Sequence, residues 1–295
     1  MMSSAKTRTS SMSPRARRPD GALRLLFALL LVFLSGCAGR APPLWIPPAT
    51  IAIEPGSKLT RLALGEHAVL LAERRSGASC VLLLNVHENE STALAAGSAL
   101  LARYGGRLLS LQHGGGRLLH FGVNGEDARA DPNRIFSRAG IAATLAHYGS
   151  DSAAARLALA GFSEALLWQL APDRASAIIT LHNNHPGGYS AASYLPGGAL
   201  ASSAAEVALA PGVSPDQFLL VSERRLFLPL AAQGFNVVLQ DRGAPDDGSL
   251  SVYAAAHAIP YINVEATAGA LATQTVMLEA ALQLLASSQL ARCRA

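Results

Sequence analysis

Four short runs, almost wholly apolar, constrain this chain most: Cys80–Val86, Ala177–Leu181, Phe235–Gln240 and Ile259–Val264. A strand with one wet face alternates apolar and polar residues. A run that is apolar at nearly every position has no wet face and must be covered on both sides. Between these runs lie segments with Ala and Leu at helical spacing: Ser91–Tyr104, Ala139–Tyr148, Ser152–Leu170 and a long stretch over residues 266–290. Buried strands alternating with helices predict an α/β fold, with a mixed, mostly parallel central sheet flanked by helices. Residues 51–78 fit an edge hairpin. Arg107–Gln112 and Arg117–Val123, flanking Gly114–Gly116, read as a second one. Pro215–Gln233 reads as helical, residues 186–212 as the longest loop and Asp241–Ser249 as a polar turn.

The chain is 295 residues long and half apolar, enough for one sizeable domain. Its formal net charge of +4 is unevenly placed. Lys6, Arg8, Arg15, Arg17, Arg18 and Arg24 crowd the start, and the remainder is near neutral to slightly acidic. No later stretch gathers Lys or Arg with interleaved aromatics, so nucleic acid is not an expected partner. Those basic residues precede an apolar run, Leu25–Leu34, too short to span a bilayer as a helix. Leu34-Ser35-Gly36-Cys37 follows directly. This resembles the lipobox of bacterial lipoproteins, which implies cleavage before Cys37, lipid on Cys37 and a membrane anchor facing the periplasm. Residues 1–36 are then a signal peptide, residues 37–50, with four prolines, a tether, and residues 51–295 the functional domain. In an exported compartment Cys80 and Cys293 can pair or remain free thiols.

Ligand-capable residues gather where three of the buried runs end. The first ends in His87-Glu88-Asn89-Glu90, the second in His182-Asn183-Asn184-His185, and the fourth in Asn263-Val264-Glu265. Open α/β sheets build their sites beyond the carboxyl ends of strands. His87 and Glu90, three apart, can reach one ion, and His182 can close the set. His182 fits better than His185, which lies further from the strand, and Glu90 better than Glu88, whose direction diverges from His87. Two His and one carboxylate with an open fourth position form a catalytic zinc arrangement. Such chemistry needs a further carboxylate to move the proton, and Glu265 is the candidate.

In order along the chain stand His87-x-x-Glu90, Asp131-Pro132-Asn133-Arg134-Ile135-Phe136, His182 and Glu265. This set resembles the zinc carboxypeptidase superfamily, including its succinylglutamate desuccinylase–aspartoacylase branch, over roughly residues 80–270. The resemblance implies a zinc carboxypeptidase-like, phosphorylase/hydrolase-like fold. It implies Zn(2+) on His87, Glu90 and His182, a substrate carboxylate on Asn133 and Arg134, and Glu265 as catalytic base. It also implies an arginine for the oxyanion, for which Arg117 and Arg129 both stand available, and a tyrosine, for which Tyr253 and Tyr261 do. An Arg fork with a neighbouring amide suits a carboxylate. The expected activity is hydrolysis of an amide bond in a small carboxylate-bearing peptide, a peptidoglycan stem peptide suiting the location. The alternatives are an N-acyl amino acid deacylase and a non-catalytic solute-binding or envelope lipoprotein.

Overall fold

The computed structural model describes residues 53–293. The Cys37 lipidation site, the signal segment and the tether lie outside the described residues. Among the described residues are eleven strands: Lys58–Leu64 (β1), His67–Ser76 (β2), Val81–Asn85 (β3), Gly106–Gln112 (β4), Leu119–Val123 (β5), Glu126–Ala130 (β6), Ala177–Asn184 (β7), Ala204–Ala208 (β8), Phe218–Val221 (β9), Asn236–Gln240 (β10) and Tyr261–Thr267 (β11). Six α-helices accompany them: Ser91–Tyr104 (α1), Arg138–His147 (α2), Ala153–Leu170 (α3), Arg224–Ala232 (α4), Leu250–Ala256 (α5) and Leu271–Ser287 (α6).

Nine strands form one sheet in the order β1-β2-β4-β3-β7-β11-β9-β10-β8. Its centre, β4-β3-β7-β11, is parallel throughout. Strands β2, β9 and β10 run against the other six, so the sheet is mixed with one prevailing direction, as expected. The continuous apolar runs explain the centre. Leu82 and Leu84 of β3 face a core shared with α2, α3 and α5, while Val81 and Leu83 face one shared with α1, α4 and α6. Leu82, Leu83 and Leu84 are fully buried, and each such side chain contributes about 1.5–3 kcal/mol. Cys80 and Cys293 are disulfide-bonded across 213 residues of sequence, which fastens the C-terminal segment to the start of β3.

The edge hairpin expected in residues 51–78 is β1/β2. The second expected hairpin does not form. β4 enters the main sheet between β2 and β3, where its leucines are covered on both faces. β5 pairs instead with β6 in a small separate sheet. Residues 215–233 are not one helix: Phe218-Leu219-Leu220-Val221 is an apolar run buried at every position and forms β9, and only α4 is helical. The expected loop 186–212 contains β8, a short edge strand on β10.

Candidate metal centre and the cavity beside it

The central strands deliver the site. Glu265 of β11 and His182 of β7 are register partners on adjacent parallel strands, so their side chains leave the same face. Both lie within their strands rather than beyond them, because the ladder continues to Thr267 and Asn184. Glu265 therefore does not cap α6, which begins at Leu271. His87 and Glu90 stand on the turn between β3 and α1.

Glu90 occupies the N-cap position of α1, yet its carboxylate caps nothing. Asn183, on the opposite face of β7 from His182, accepts from the Ala93 N–H at 3.0 Å and so satisfies one of that helix end's open N–H groups. Glu90 is thereby released to the site. Its Oε1 lies 2.9 Å from His87 Nδ1, and its Oε2 lies 2.9 Å from His182 Nδ1. The two Nδ1 atoms are 3.2 Å apart. Ligand atoms of His87, Glu90 and His182 all lie within 4.8 Å of one another, and all three residues are buried. This cluster could hold a metal ion.

The donor set fits a cation on its own chemistry. His87 Nε2 lies 2.9 Å from Asp131 Oδ1 and donates its proton there. A neutral His87 then turns a lone pair toward Glu90 Oε1, and two acceptors at 2.9 Å require a positive centre beside them. A proton meets that need in part: burial disfavours a charged His87, but Glu90 and Asp131 outweigh it and raise its pKa. A metal ion meets it with both imidazoles. Burial presses the Glu90 and Asp131 carboxyls toward protonation, yet the histidines hold Glu90 well below the usual carboxylate range, and His87 and Arg117 do so for Asp131.

Beside the cluster opens a cavity of about 400 Å³, lined by Glu90, Arg117, His182 and Glu265 together with Asn133, Arg134, Tyr194 and Ser251. Glu265 accepts from Asn263 Nδ2 at 3.1 Å. Burial, with Glu90 nearby, raises its pKa against the pull of His182 and Arg117. A carboxylate set to take up a proton is suited to general base work.

Of the two arginines, Arg117 is the one that lies at the cluster. Its Nη1 donates to Glu90 Oε1 at 2.7 Å and its Nη2 lies 3.5 Å from Asp131 Oδ2, so the guanidinium stands over the cluster. Arg129 is outside the cavity and donates to the Tyr148 carbonyl. Of the two tyrosines, Tyr261 lines the cavity but is bound to Thr180 Oγ1 at 2.6 Å, and Tyr253 stacks on His257 away from it. Tyr189 and Tyr194, which sequence reasoning missed, also line it, with their hydroxyls paired. Burial pushes the Tyr194 hydroxyl up to about 12, so it remains protonated. His185 is exposed at the cavity margin and does not join the cluster.

Asn133 and Arg134 form a single 3₁₀ turn begun by Asp131, whose carboxylate accepts from the Asn133 N–H at 2.8 Å. Asp131 thus ties His87 to the turn bearing Asn133 and Arg134. Asn133 Oδ1 accepts from the Leu250 N–H at 3.3 Å, and the Phe136 N–H donates to the Gly248 carbonyl at 2.9 Å. Behind them Gly140 of α2 meets Gly248 so closely that a Cβ on Gly140 would lie 2.2 Å from the Gly248 Cα. The half-exposed Arg134 guanidinium is 3.8 Å from Asp247.

The chain matches no protein-family model, and no curated protein matches it by sequence. Among solved structures it is similar to a succinylglutamate desuccinylase/aspartoacylase from Rhodobacter sphaeroides, at 13% identity over 80% of this chain and 68% of that one, with a TM-score of 0.39. It is similar to an aspartoacylase family protein from Mesorhizobium loti at 14% identity, over 82% and 71% of the two chains, with a TM-score of 0.38. The product-bound ectoine utilization protein EutE (DoeB) from Ruegeria pomeroyi shares 11% identity over 83% and 71%, with a TM-score of 0.42.

Proposed function

We propose that this protein is a zinc-dependent hydrolase that cuts an amide bond in a small peptide bearing a free carboxylate. The observation that carries the reading is one cavity that joins three elements: the His87–Glu90–His182 cluster, the buried Glu265 and the Asn133–Arg134 turn. In this reading Arg134 grips the substrate carboxylate through charge-assisted hydrogen bonds, and Asn133 shapes the turn that presents it. That places the amide carbonyl beside Arg117, whose fixed positive charge stabilises the oxygen as negative charge develops. A zinc ion bound at the cluster would supply Lewis acidity toward that carbonyl and lower the pKa of water. Glu265 takes the proton from the attacking water and returns it to the departing amine.

Export and lipid attachment at Cys37 belong to the same proposal. The Cys80–Cys293 bond supports them, since structural disulfides persist in oxidising compartments. That location suits a peptidoglycan stem peptide as substrate and lipid on Cys37 as the membrane contact.

The test is Glu265→Gln in zinc-loaded protein, assayed on acyl dipeptides and on muropeptide fragments with a free terminal carboxylate. Hydrolysis should fall by about 10²–10⁴-fold while zinc content stays unchanged. Hydrolysis that survives the substitution removes Glu265 as base. Wild-type protein that neither retains zinc nor turns over any of these substrates refutes the hydrolase reading.

A further inference from the structure

Glu88 sits between two residues of the cluster yet takes no part in it. Its side chain is fully buried, and its Oε2 accepts from three successive backbone N–H groups, those of His113, Gly114 and Gly115. The distances at the two glycines are 2.8 Å. The sheet brings the two segments together. β3 and β4 are parallel neighbours whose register ends with Asn85 opposite Ser110, so the segments that follow them leave the sheet side by side. The turn after β3 thus faces two ways: His87 and Glu90 toward the cluster, Glu88 toward the loop after β4.

That loop carries Arg117. Three consecutive glycines precede it, and Gly114 and Gly115 hold φ of 110° and 81°, which side chains rarely adopt. Without a fixed centre such a segment samples many conformations, and Arg117 would be held only by its own contacts to Glu90 and Asp131. Three N–H groups converging on one anionic oxygen make a nest, and the bonds are charge-assisted. Resting on the hydrolase reading above, we propose that Glu88 is a positioning residue: its carboxylate gathers the glycine loop and holds Arg117 over the metal-binding cluster.

The test uses the full zinc-loaded chain and Glu88→Gln, which keeps shape but removes charge. Hydrogen exchange across residues 113–117 should accelerate about tenfold or more, with zinc content unchanged. On a synthetic acyl dipeptide with a free carboxylate, kcat should fall while KM moves less than about twofold. The double variant Glu88→Gln/Arg117→Ala should be no slower than Arg117→Ala alone, since both remove one contribution. Unchanged exchange in a folded Glu88→Gln overturns the proposal, as do losses that multiply in the double variant. If Glu88→Gln fails to fold, Gly115→Ala strains the same loop from its other side. It must then give the same rise in exchange and the same non-multiplying loss, or the proposal fails. If the wild type hydrolyses nothing, the hydrolase reading falls, and the exchange measurement still decides whether Glu88 holds the loop.

Discussion

Replacing Gly140 by alanine reverses the usual effect of such a change. Gly140 is the third residue of α2, its N–H capped by Ser137 Oγ at 3.0 Å. In an open helix Gly→Ala stabilises by about 1 kcal/mol. Here the new Cβ would lie 2.2 Å from Gly248 Cα, 2.7 Å from the Arg134 carbonyl oxygen and 2.8 Å from Gly248 N. These are backbone atoms, which cannot rotate aside. Carbon atoms rest at about 3.5–4.0 Å, so the 244–249 segment must retreat by more than about 1 Å. That movement strains the Phe136–Gly248 and Leu250–Asn133 hydrogen bonds, about 1 kcal/mol each. Overpacking adds about 1–3 kcal/mol. Against the helix gain, the net loss is about 3 kcal/mol, or a Tm lower by roughly 6–12 °C for a domain of this size. Arg134 shifts with its carbonyl, so KM for a carboxylate-bearing substrate should rise by about 10- to 100-fold. Thermal unfolding and steady-state kinetics on the same preparation check both. A variant more stable than wild type with unchanged KM would refute the argument, because the contact would then not govern this segment.

Three further outcomes are expected. Glu73 is buried, and although burial raises its pKa, Arg107 and Arg75 outweigh this and lower it. Its stabilising pairing is therefore present above the unfolded carboxyl pKa of about 4.3 and lost as pH falls through the depressed folded value. Glu73→Gln should cost about 1–3 kcal/mol in urea unfolding at neutral pH, a gap that closes in acid; an equal gap at both pH values would rule out the pairing as its source. Reduction of the Cys80–Cys293 bond, which closes a loop spanning 213 residues of sequence, should cost about 2–4 kcal/mol, with loop entropy placing the ceiling near about 5. Cys293→Ser should match the reduced wild type. Chelation should lower Tm, and zinc at about 100-fold its Kd should restore about 2.7 kcal/mol. His182→Ala should lose this response and His185→Ala keep it, and the opposite pattern would exchange the two histidines.

What could be read from sequence follows the range of the interactions. The runs at β3, β7 and β11 were legible because full burial leaves a local mark at every position. His87, Glu90, His182 and Glu265 were legible because they sit at the ends of those runs. The place of β4 was not: its leucines look the same whether it pairs with β5 or with β3 and β2, and the choice depends on residues far along the chain. Glu88 was hidden for the same reason. Between His87 and Glu90 it reads as a rival candidate, and only its hydrogen bonds show its side chain serving a loop 25 residues away. Asn183 gave no local sign of capping α1 from 90 residues away. Tyr189 and Tyr194 lay in a segment whose small residues suggested a plain loop.

The pairing of Glu265 with His182 has a consequence for how such a protein can diversify. The spacing between these two side chains is set by the distance between hydrogen-bonded strands, about 4.8 Å, and a slip of one residue would turn one of them into the opposite core. Drift in surface segments cannot detune that pair gradually; it is kept whole or lost whole. The cavity lining outside the sheet, from the segments around Tyr194 and Ser251, is under no such restriction. A designer seeking a new ligand could graft those two segments while leaving β7 and β11 untouched, and His182 and Glu265 would keep their spacing through every exchange.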